Sequence, residues 1–342
     1  SIFRDNIVVG EADASPFRIQ DDLSGLVFEG NVATAQPPGP IAYGFQVVPS
    51  SVATDMLRET PDVGISRDET GVSWYPKAPV TSPFDGGARI EVAAGPDALS
   101  SALANASAGD TLVLAPGDYE ESRLVNLRVP VTIEAADPSN PPVLTFERPN
   151  FILLSANGSL RLKGLEVSGV NSPDSSGNSF ISTTSMGGAG NHTVELHDMT
   201  FSQFDVNKGF SVISAAKGTF YDRIEITAST FSDISGTVIK LDTETDDYGI
   251  YNAEYVVIED STFDRVGGSV AAVYRGGRDE STFGPHLWVR DSRFTDIGQN
   301  SAPLFLAHGV QNLELTGNQI SDARPAKLII TTGNPVVDVS GN

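Results

Sequence analysis

The sequence predicts an all-β chain folded as a parallel β-helix, a solenoid whose coils stack one on the next. The prediction rests on one pattern, an apolar–x–apolar strand followed five residues later by an apolar anchor. Successive anchors lie 26 to 34 residues apart, a period typical of solenoid coils and not of a sandwich or a doubly wound sheet. The six copies are Leu160-x-Leu162 with Val167, Val194-x-Leu196 with Phe201, Ile224-x-Ile226 with Phe231, Val256-x-Ile258 with Phe263, Leu287-x-Val289 with Phe294, and Leu313-x-Leu315 with Ile320.

Residues 96–107 predict a short amphipathic helix that caps the N-terminal end of this solenoid. Pro96 lies early in the helix, and Leu99 and Leu103 fall on one side of it. A strand bounded by turn residues follows at 109–119. The end coil of a solenoid must cover its apolar core, and a helix across the open end does so. This arrangement resembles the first coil of the pectate-lyase-like superfamily, which implies a right-handed β-helix.

The segment before the helix predicts a second, incomplete solenoid. Residues 26–33 fit the register of residues 313–320, and residues 1–8 fit it too. We therefore expect 1–35 to be the terminal coils of a preceding β-helix, 36–90 to be a Pro- and Gly-rich connection, and 91–342 to be the C-terminal β-helix. The alternative is a natural single-domain protein whose first strands pair elsewhere.

Composition excludes several classes of partner. The chain has 22 Lys and Arg against 44 Asp and Glu, a formal net charge of -22, which argues against nucleic acid and anionic membranes because both need a basic surface. There is no cysteine, so disulfides and thiolate metal sites are absent. No apolar run approaches the length of a membrane span. We expect a soluble protein that is secreted or periplasmic.

The second strand of each coil predicts a functional patch. Coils stack about 4.8 Å apart, so equivalent positions form ladders. Insertions at 243–252 and 276–285 follow this strand on consecutive coils, which indicates that both loops leave the same edge. The residues expected in one row at that edge are Lys217, Asp242, Tyr274 or Arg275, and His308.

The predicted patch concentrates cationic residues in a strongly acidic chain, and this indicates a binding site for an anion. A lyase that eliminates next to a uronate carboxylate must neutralise that carboxylate and supply a base and a proton donor. On this hypothesis Lys240 or His308 is the base, Arg275 the neutralising group and Tyr274 the donor. The candidate substrate-binding residues are Lys217, Arg278, His286 and His308. The alternative is structural, with Arg275 and Arg278 paired to neighbouring carboxylates to hold the loops.

Two weaker patterns concern metals. Asp242, Glu244 and Asp246 place oxygen ligands at alternate positions, which suits Ca²⁺, although the full EF-hand pattern is absent. The alternative is a solvated acidic loop. His192 and His197 have poor spacing for a shared metal and are expected at the surface or a strand edge.

The segments Lys240 to Glu244, Tyr251 to Glu254 and Tyr274 to His286, with its string RGGRDESTFGP, resemble polysaccharide lyase family 6, the alginate lyases and chondroitinase B. The resemblance is closest to the second β-helix of two-domain members. It implies β-elimination with a Lys base, an Arg acid and a Ca²⁺ held by Asn and Glu, all on the first β-helix. Residues 254–261 offer no Lys, although Arg275 falls where an Arg is expected, so no catalytic residue is carried over.

Three functions follow. The leading hypothesis is the C-terminal part of an alginate lyase that supports or dimerises a catalytic β-helix, with the main catalytic residues and any Ca²⁺ ligands outside this chain. The second is an independently active uronate lyase using Lys240, Tyr274 and Arg275. The third is a non-catalytic carbohydrate-binding or structural β-helix. The partners implied are an acidic polysaccharide, a preceding catalytic β-helix and a second copy in a homodimer.

Overall fold

The computed structural model describes residues 2–9, 25–36, 43–59, 82–184, 191–245, 250–277, 284–331 and 334–342. The chain divides into two compact units, Ser1–Val80 and Thr81–Asn342. No helix among these residues has the length and apolar character needed to cross a membrane.

The first unit contains two small parallel sheets and a helix. Ile2–Arg4 pairs with Val27–Glu29, Ile7 and Val8 pair with Val32 and Ala33, and the Asn6 side-chain amide donates to Asn31 Oδ1 at 2.7 Å. One strand and the helix fall within 36–90, the segment expected to be a connection. The elements are β1 (Ile2–Arg4), β2 (Ile7–Val8), β3 (Val27–Glu29), β4 (Asn31–Ala33), β5 (Phe45–Val47) and α1 (Ser50–Glu59), with β1 paired to β3 and β4 between β2 and β5.

The second unit is a parallel β-helix, as predicted. Its described strands form three sheets, and successive coils add one strand to each sheet, except that β6 and β31 at the two ends extend the first sheet alone. The first sheet comprises β6 (Arg89–Val92), β7 (Asp110–Leu114), β10 (Pro130–Ala135), β13 (Ser159–Lys163), β16 (His192–His197), β19 (Tyr221–Thr227), β22 (Ala253–Glu259), β25 (His286–Arg290), β28 (Asn312–Thr316) and β31 (Val336–Ser340).

The second sheet carries the anchors. It comprises β8 (Asp118–Glu121), β11 (Val143–Phe146), β14 (Glu166–Ser168), β17 (Thr200–Ser202), β20 (Thr230–Ile234), β23 (Thr262–Val266), β26 (Arg293–Ile297) and β29 (Gln319–Ala323). The third sheet comprises β9 (Val125–Leu127), β12 (Asn150–Leu154), β15 (Ser179–Thr183), β18 (Ser211–Ser214), β21 (Ile239–Leu241), β24 (Ala271–Tyr274), β27 (Phe305–His308) and β30 (Lys327–Ile329).

The core is built from the anchors that the repeat predicts. Phe201, Phe231, Phe263 and Phe294 are fully buried and stack in a column with ring centroids 5.1, 4.8 and 5.3 Å apart. Such rings dominate core energetics because each buries a large apolar area. The sixth anchor, Ile320, is 45% exposed because β29 is an edge strand of its sheet and has a neighbour on one side only.

The capping helix is α2 (Ala98–Leu103), shorter than the predicted span of 96–107. Leu99 and Leu103 are buried against the core, as predicted. The buried carboxylate of Glu121 accepts hydrogen bonds from the backbone N–H groups of Leu99 and Ser100 at 2.9 and 3.0 Å. These donors have no partner within a helix, so the carboxylate both satisfies them and anchors the cap.

The expectation for His192 was wrong. His192 is fully buried because it alternates in β16 with inward-facing Val194 and Leu196. Its Nδ1 lies 2.6 Å from the Gly158 carbonyl oxygen, and burial lowers the pKa of its imidazole. His197 is partly exposed, with Nδ1 2.6 Å from Thr227 Oγ1.

Candidate functional site

Three of the predicted site residues lie on the outer face of the third sheet. Strand alternation places Leu241 and Val273 in the core and turns Lys240, Tyr274 and His308 outward. Tyr274 pairs with His308 across adjacent coils, and their rings meet edge to face with centroids 4.3 Å apart. Burial, and the positive charge of Lys327, lower the pKa of His308. The neutral imidazole is therefore favoured at this position.

The predicted row is otherwise broken. Ser214 pairs with Lys240, so the residue level with Asp242 on the preceding coil is Ala216, and Lys217 lies one position further on. Arg275 is also absent from the outer row, because it follows outward-facing Tyr274 and alternation turns it inward. Arg275 is 2% exposed. The row therefore consists of Asp242, Tyr274 and His308, without Lys217 and Arg275.

The pattern proposed for Ca²⁺ does not assemble a metal site in the described residues. Glu244 is buried and accepts hydrogen bonds from the Gly218 backbone N–H and, at 3.5 Å, from the Asn252 side-chain amide. Asp242 Oδ1 is buried without a hydrogen-bond partner. Asp246 lies outside the described residues, and within them no group of three or more His, Asp or Glu side chains is placed to hold a metal ion. Calcium stays a prediction, and no step below depends on it.

Arg275 lies in a buried network at the base of the second loop, the insertion at residues 276–285. Its Nη1 donates to the Gly284 carbonyl oxygen at 2.7 Å, and its guanidinium lies 5.3 Å from the centre of the Tyr251 ring. Glu254 is 1% exposed and accepts from the Gly284 N–H at 3.0 Å and from the Tyr251 hydroxyl at 2.7 Å. Both backbone groups of Gly284 are therefore bound by charged side chains. Arg278, the other predicted loop cation, lies outside the described residues.

His286, which was predicted to bind substrate, is also part of this buried network. Its Nδ1 lies 3.2 Å from the Glu254 carbonyl oxygen and 3.7 Å from Glu254 Oε1. Its ring stacks on Tyr255 with centroids 4.5 Å apart and meets Trp288 edge to face at 5.7 Å. The side chain is 13% exposed. His286 is thus held between a carboxylate and two aromatic rings.

Asp222 is a member of the network that the sequence did not reveal. His192 pairs with Tyr221 and Thr193 pairs with Arg223, so Asp222 is the extra residue of a β-bulge. On its other side β19 pairs in register with β22, which places Asp222 level with Glu254. Burial and the nearby Glu254 charge raise the pKa of Asp222 to about 6. No local sequence signal marks the bulge, because it exists only in the pairing between coils.

We call Asp222, Tyr251, Glu254, Arg275 and His286 the loop-base cluster. It combines one guanidinium, two carboxyl groups, a phenol and an imidazole in a largely buried setting. A carboxyl group with a raised pKa, such as that of Asp222, occurs both at functional sites and in structural ion-pair networks. Here each hydrogen bond to Gly284 restrains the chain at the end of the loop.

Solved structures of an alginate lyase are similar to this chain over almost its full length. The PL6 family alginate lyase AlyGC superposes over 100% of this chain with a TM-score of 0.74 and 32% sequence identity. The chain has a PL6 alginate lyase-like fold. A point mutant of AlyGC matches 99% of the chain with a TM-score of 0.68 and 30% identity. The PL6-like chain spans about half the length of these structures, 49% of one and 52% of the other. No family model and no curated protein matches it.

Proposed function

We propose that this chain is a supporting, non-catalytic part of a secreted or periplasmic lyase that cleaves alginate or a similar polyuronate by β-elimination. The resemblance to AlyGC supports the reaction and the substrate class. Because the chain matches only half of AlyGC, the proposal assigns the base, the acid and any Ca²⁺ ligands to a partner β-helix.

The observation that carries the proposal is the burial of Arg275. β-Elimination requires a cation that reaches the substrate carboxylate and stabilises charge as the neighbouring proton leaves. Arg275 is the cation that the resemblance brings nearest to that role, yet it is 2% exposed and binds the Gly284 carbonyl group. Lys240 and Tyr274 face solvent on the third sheet, away from the inward side chain of Arg275. This supports a structural role for Arg275, the alternative in which it holds a loop.

The proposal is tested by incubating the 342-residue chain with alginate and following the ultraviolet absorbance of the unsaturated uronate product. We expect no product from a chain whose circular dichroism shows cooperative loss of β-structure on heating. Product that disappears in Lys240→Ala or Arg275→Lys, with the fold retained, would establish instead an independently active lyase. Arg293→Ala, an exposed substitution on the second sheet, is the matched control for loss of a positive charge.

A further inference from the structure

A second region of the β-helix carries an open cleft that the catalytic hypothesis does not use. It lies where the strands of the second sheet end and the chain turns towards the third sheet, on four consecutive coils. Its volume is about 440 Å³, within the range of sites that bind small molecules or short segments. We call it the polar cleft, and define it by Lys208, Gly209, Asp233, Arg265, Gln299 and Asn300.

Two glycines line the cleft, one packed tightly against the neighbouring coils and one beside open space. A Cβ on Gly267 would lie 2.3 Å from the Ser235 carbonyl oxygen and 2.7 Å from Asn300 Nδ2, so no side chain fits there. A Cβ on Gly209 would meet no atom within 4 Å, so this residue borders open space. Backbone hydrogen bonds from Gly267 to Ile234 and from Asn300 to Gly267, both 2.8 Å, hold successive coils in register. The cleft is thus preformed and runs across the stacked coils.

One wall of the cleft is a fixed ion pair. Arg265 Nε and Nη2 donate to the two carboxylate oxygens of Asp233 at 2.6 and 2.9 Å, and Arg265 also contacts Asp264. Such two-point pairing fixes both side chains and neutralises both charges.

Lys208 is the cation that remains for a ligand. It is exposed and makes no ion pair with any residue in the described part of the chain. Gln299 and Asn300 each use one side-chain N–H within the protein, donating to Asp296 at 2.7 Å and to the Ser235 carbonyl at 3.0 Å. Each carboxamide keeps a second N–H and its oxygen for a ligand. Besides the Arg265–Asp233 pair, the lining therefore presents the positive charge of Lys208, the negative charge of Asp205 and neutral hydrogen-bonding groups.

The lining of this cleft carries no net charge, whereas the chain as a whole is strongly negative. Asp205 and Asp233 oppose Lys208 and Arg265, so two negative and two positive groups cancel, in a chain of net charge -22. Ile234 is the one apolar side chain in the lining, which disfavours an apolar ligand. A ligand rich in hydroxyl groups with an occasional negative charge matches this lining, and one that repeats along its length matches the stacked coils.

We propose that the polar cleft binds a short stretch of an acidic polysaccharide, with Lys208 facing a uronate carboxylate and the carboxamides of Gln299 and Asn300 facing hydroxyl groups. This rests on the proposed function for the choice of a uronate. It adds a binding site at the turns between the second and third sheets, whereas the loop-base cluster lies between the third and first sheets, and through this site a non-catalytic β-helix would retain the polymer.

The experiment is calorimetric titration of the 342-residue chain with a short saturated oligouronate, compared with the same oligosaccharide after its carboxyl groups are reduced to alcohols. Lys208→Ala should weaken oligouronate binding about five- to tenfold, because a charged hydrogen bond in a partly exposed site is lost. Lys208→Arg should restore most of the affinity. Lys163→Ala, on the outer face of the first sheet, is the matched control and should leave binding unchanged. For the reduced oligosaccharide the Lys208→Ala effect should disappear.

Two results would overturn the assignment. One is oligouronate binding that Lys208→Ala leaves intact and Lys240→Ala abolishes, which would place the ligand on the third sheet. The other is the absence of binding at millimolar oligouronate at any salt concentration. Neither result bears on product formation, so the lyase assay judges the proposed function separately.

Discussion

The loop-base cluster and the polar cleft use charge in opposite ways. In the cluster, Arg275 and Glu254 are almost fully buried and their hydrogen bonds go to both backbone groups of Gly284. In the cleft, Arg265 and Asp233 neutralise each other at the wall and Lys208 is left exposed. The exposure of a cation, more than its place in a family-like motif, therefore separates a structural role from a binding role.

Removing the cation of the cluster gives the largest expected effect. Arg275→Ala removes a buried guanidinium and leaves the Gly284 carbonyl oxygen without this donor, and the loss of a buried hydrogen bond from a charged group costs about 2 to 3 kcal/mol. Urea unfolding followed by circular dichroism measures the change. Arg293→Ala, which removes an exposed arginine from the second sheet, should change stability by less than about 0.5 kcal/mol. Equal stability of the two variants would remove the distinction between the regions.

The next effect concerns pH. Asp222 binds its proton more tightly in the folded state, with a pKa of about 6 against 3.8, so its contribution to stability is present at low pH and is lost as the pH rises through about 6. Asp222→Asn removes this loss. We expect the free energy of unfolding of the variant to exceed that of the wild type by about 1 to 2 kcal/mol at pH 7.5, after allowing for partial solvent access to Asp222. At pH 4 we expect a much smaller difference.

Thermal midpoints at the two pH values measure this difference. A gain of the same size at both would show that the substitution acts through packing and not through titration of Asp222. Lys208→Ala provides the comparison from the other region, since its pH profile should follow that of the wild type.

Lys208→Ala should alter binding without altering stability. The side chain is exposed and makes no ion pair within the described residues, so we expect a change in the free energy of unfolding below about 0.5 kcal/mol. The same urea titrations measure it. A loss comparable to that of Arg275→Ala would mean that Lys208 serves the fold.

The smallest expected effect is that of salt. A chain of net charge -22 repels a polyanion at long range, and salt screens this repulsion. The affinity for an oligouronate should therefore rise modestly, about twofold, as salt increases from low to physiological concentration. A steep fall in affinity, measured by the same calorimetry, would reveal a basic groove outside the polar cleft.

Much of the fold followed from periodicity because each coil repeats the same apolar positions. The phenylalanine column from Phe201 to Phe294 and the helix over Leu99 and Leu103 are where the pattern places them. The outward positions of Lys240, Tyr274 and His308 follow from alternation within strands. Ile320 differs because burial depends on a neighbouring strand, which an edge strand lacks on one side.

The site was less predictable because it depends on where alternation ends and on contacts between coils. Arg275 comes one residue after the end of β24. The row predicted from the sequence includes it among the outward-facing residues, whereas its side chain faces inward. Asp222 is placed by a bulge that only the pairing of β16 with β19 creates. The polar cleft is formed by turns on four coils, two of which contain a glycine that lines it. No polar motif repeats in these turns, so the sequence does not reveal the cleft.

Hydrogen exchange at the Gly284 amide tests most directly the claim that Arg275 and Glu254 hold the end of the second loop. We expect slow exchange in the wild type, since this N–H is bound by buried Glu254, and at least about tenfold faster exchange in Arg275→Ala. The Gly267 amide, bonded to the Ile234 carbonyl at 2.8 Å, should be unchanged by the substitution. Exchange of the wild-type Gly284 amide at the rate of an unprotected amide, with no response to Arg275→Ala, would contradict the claim.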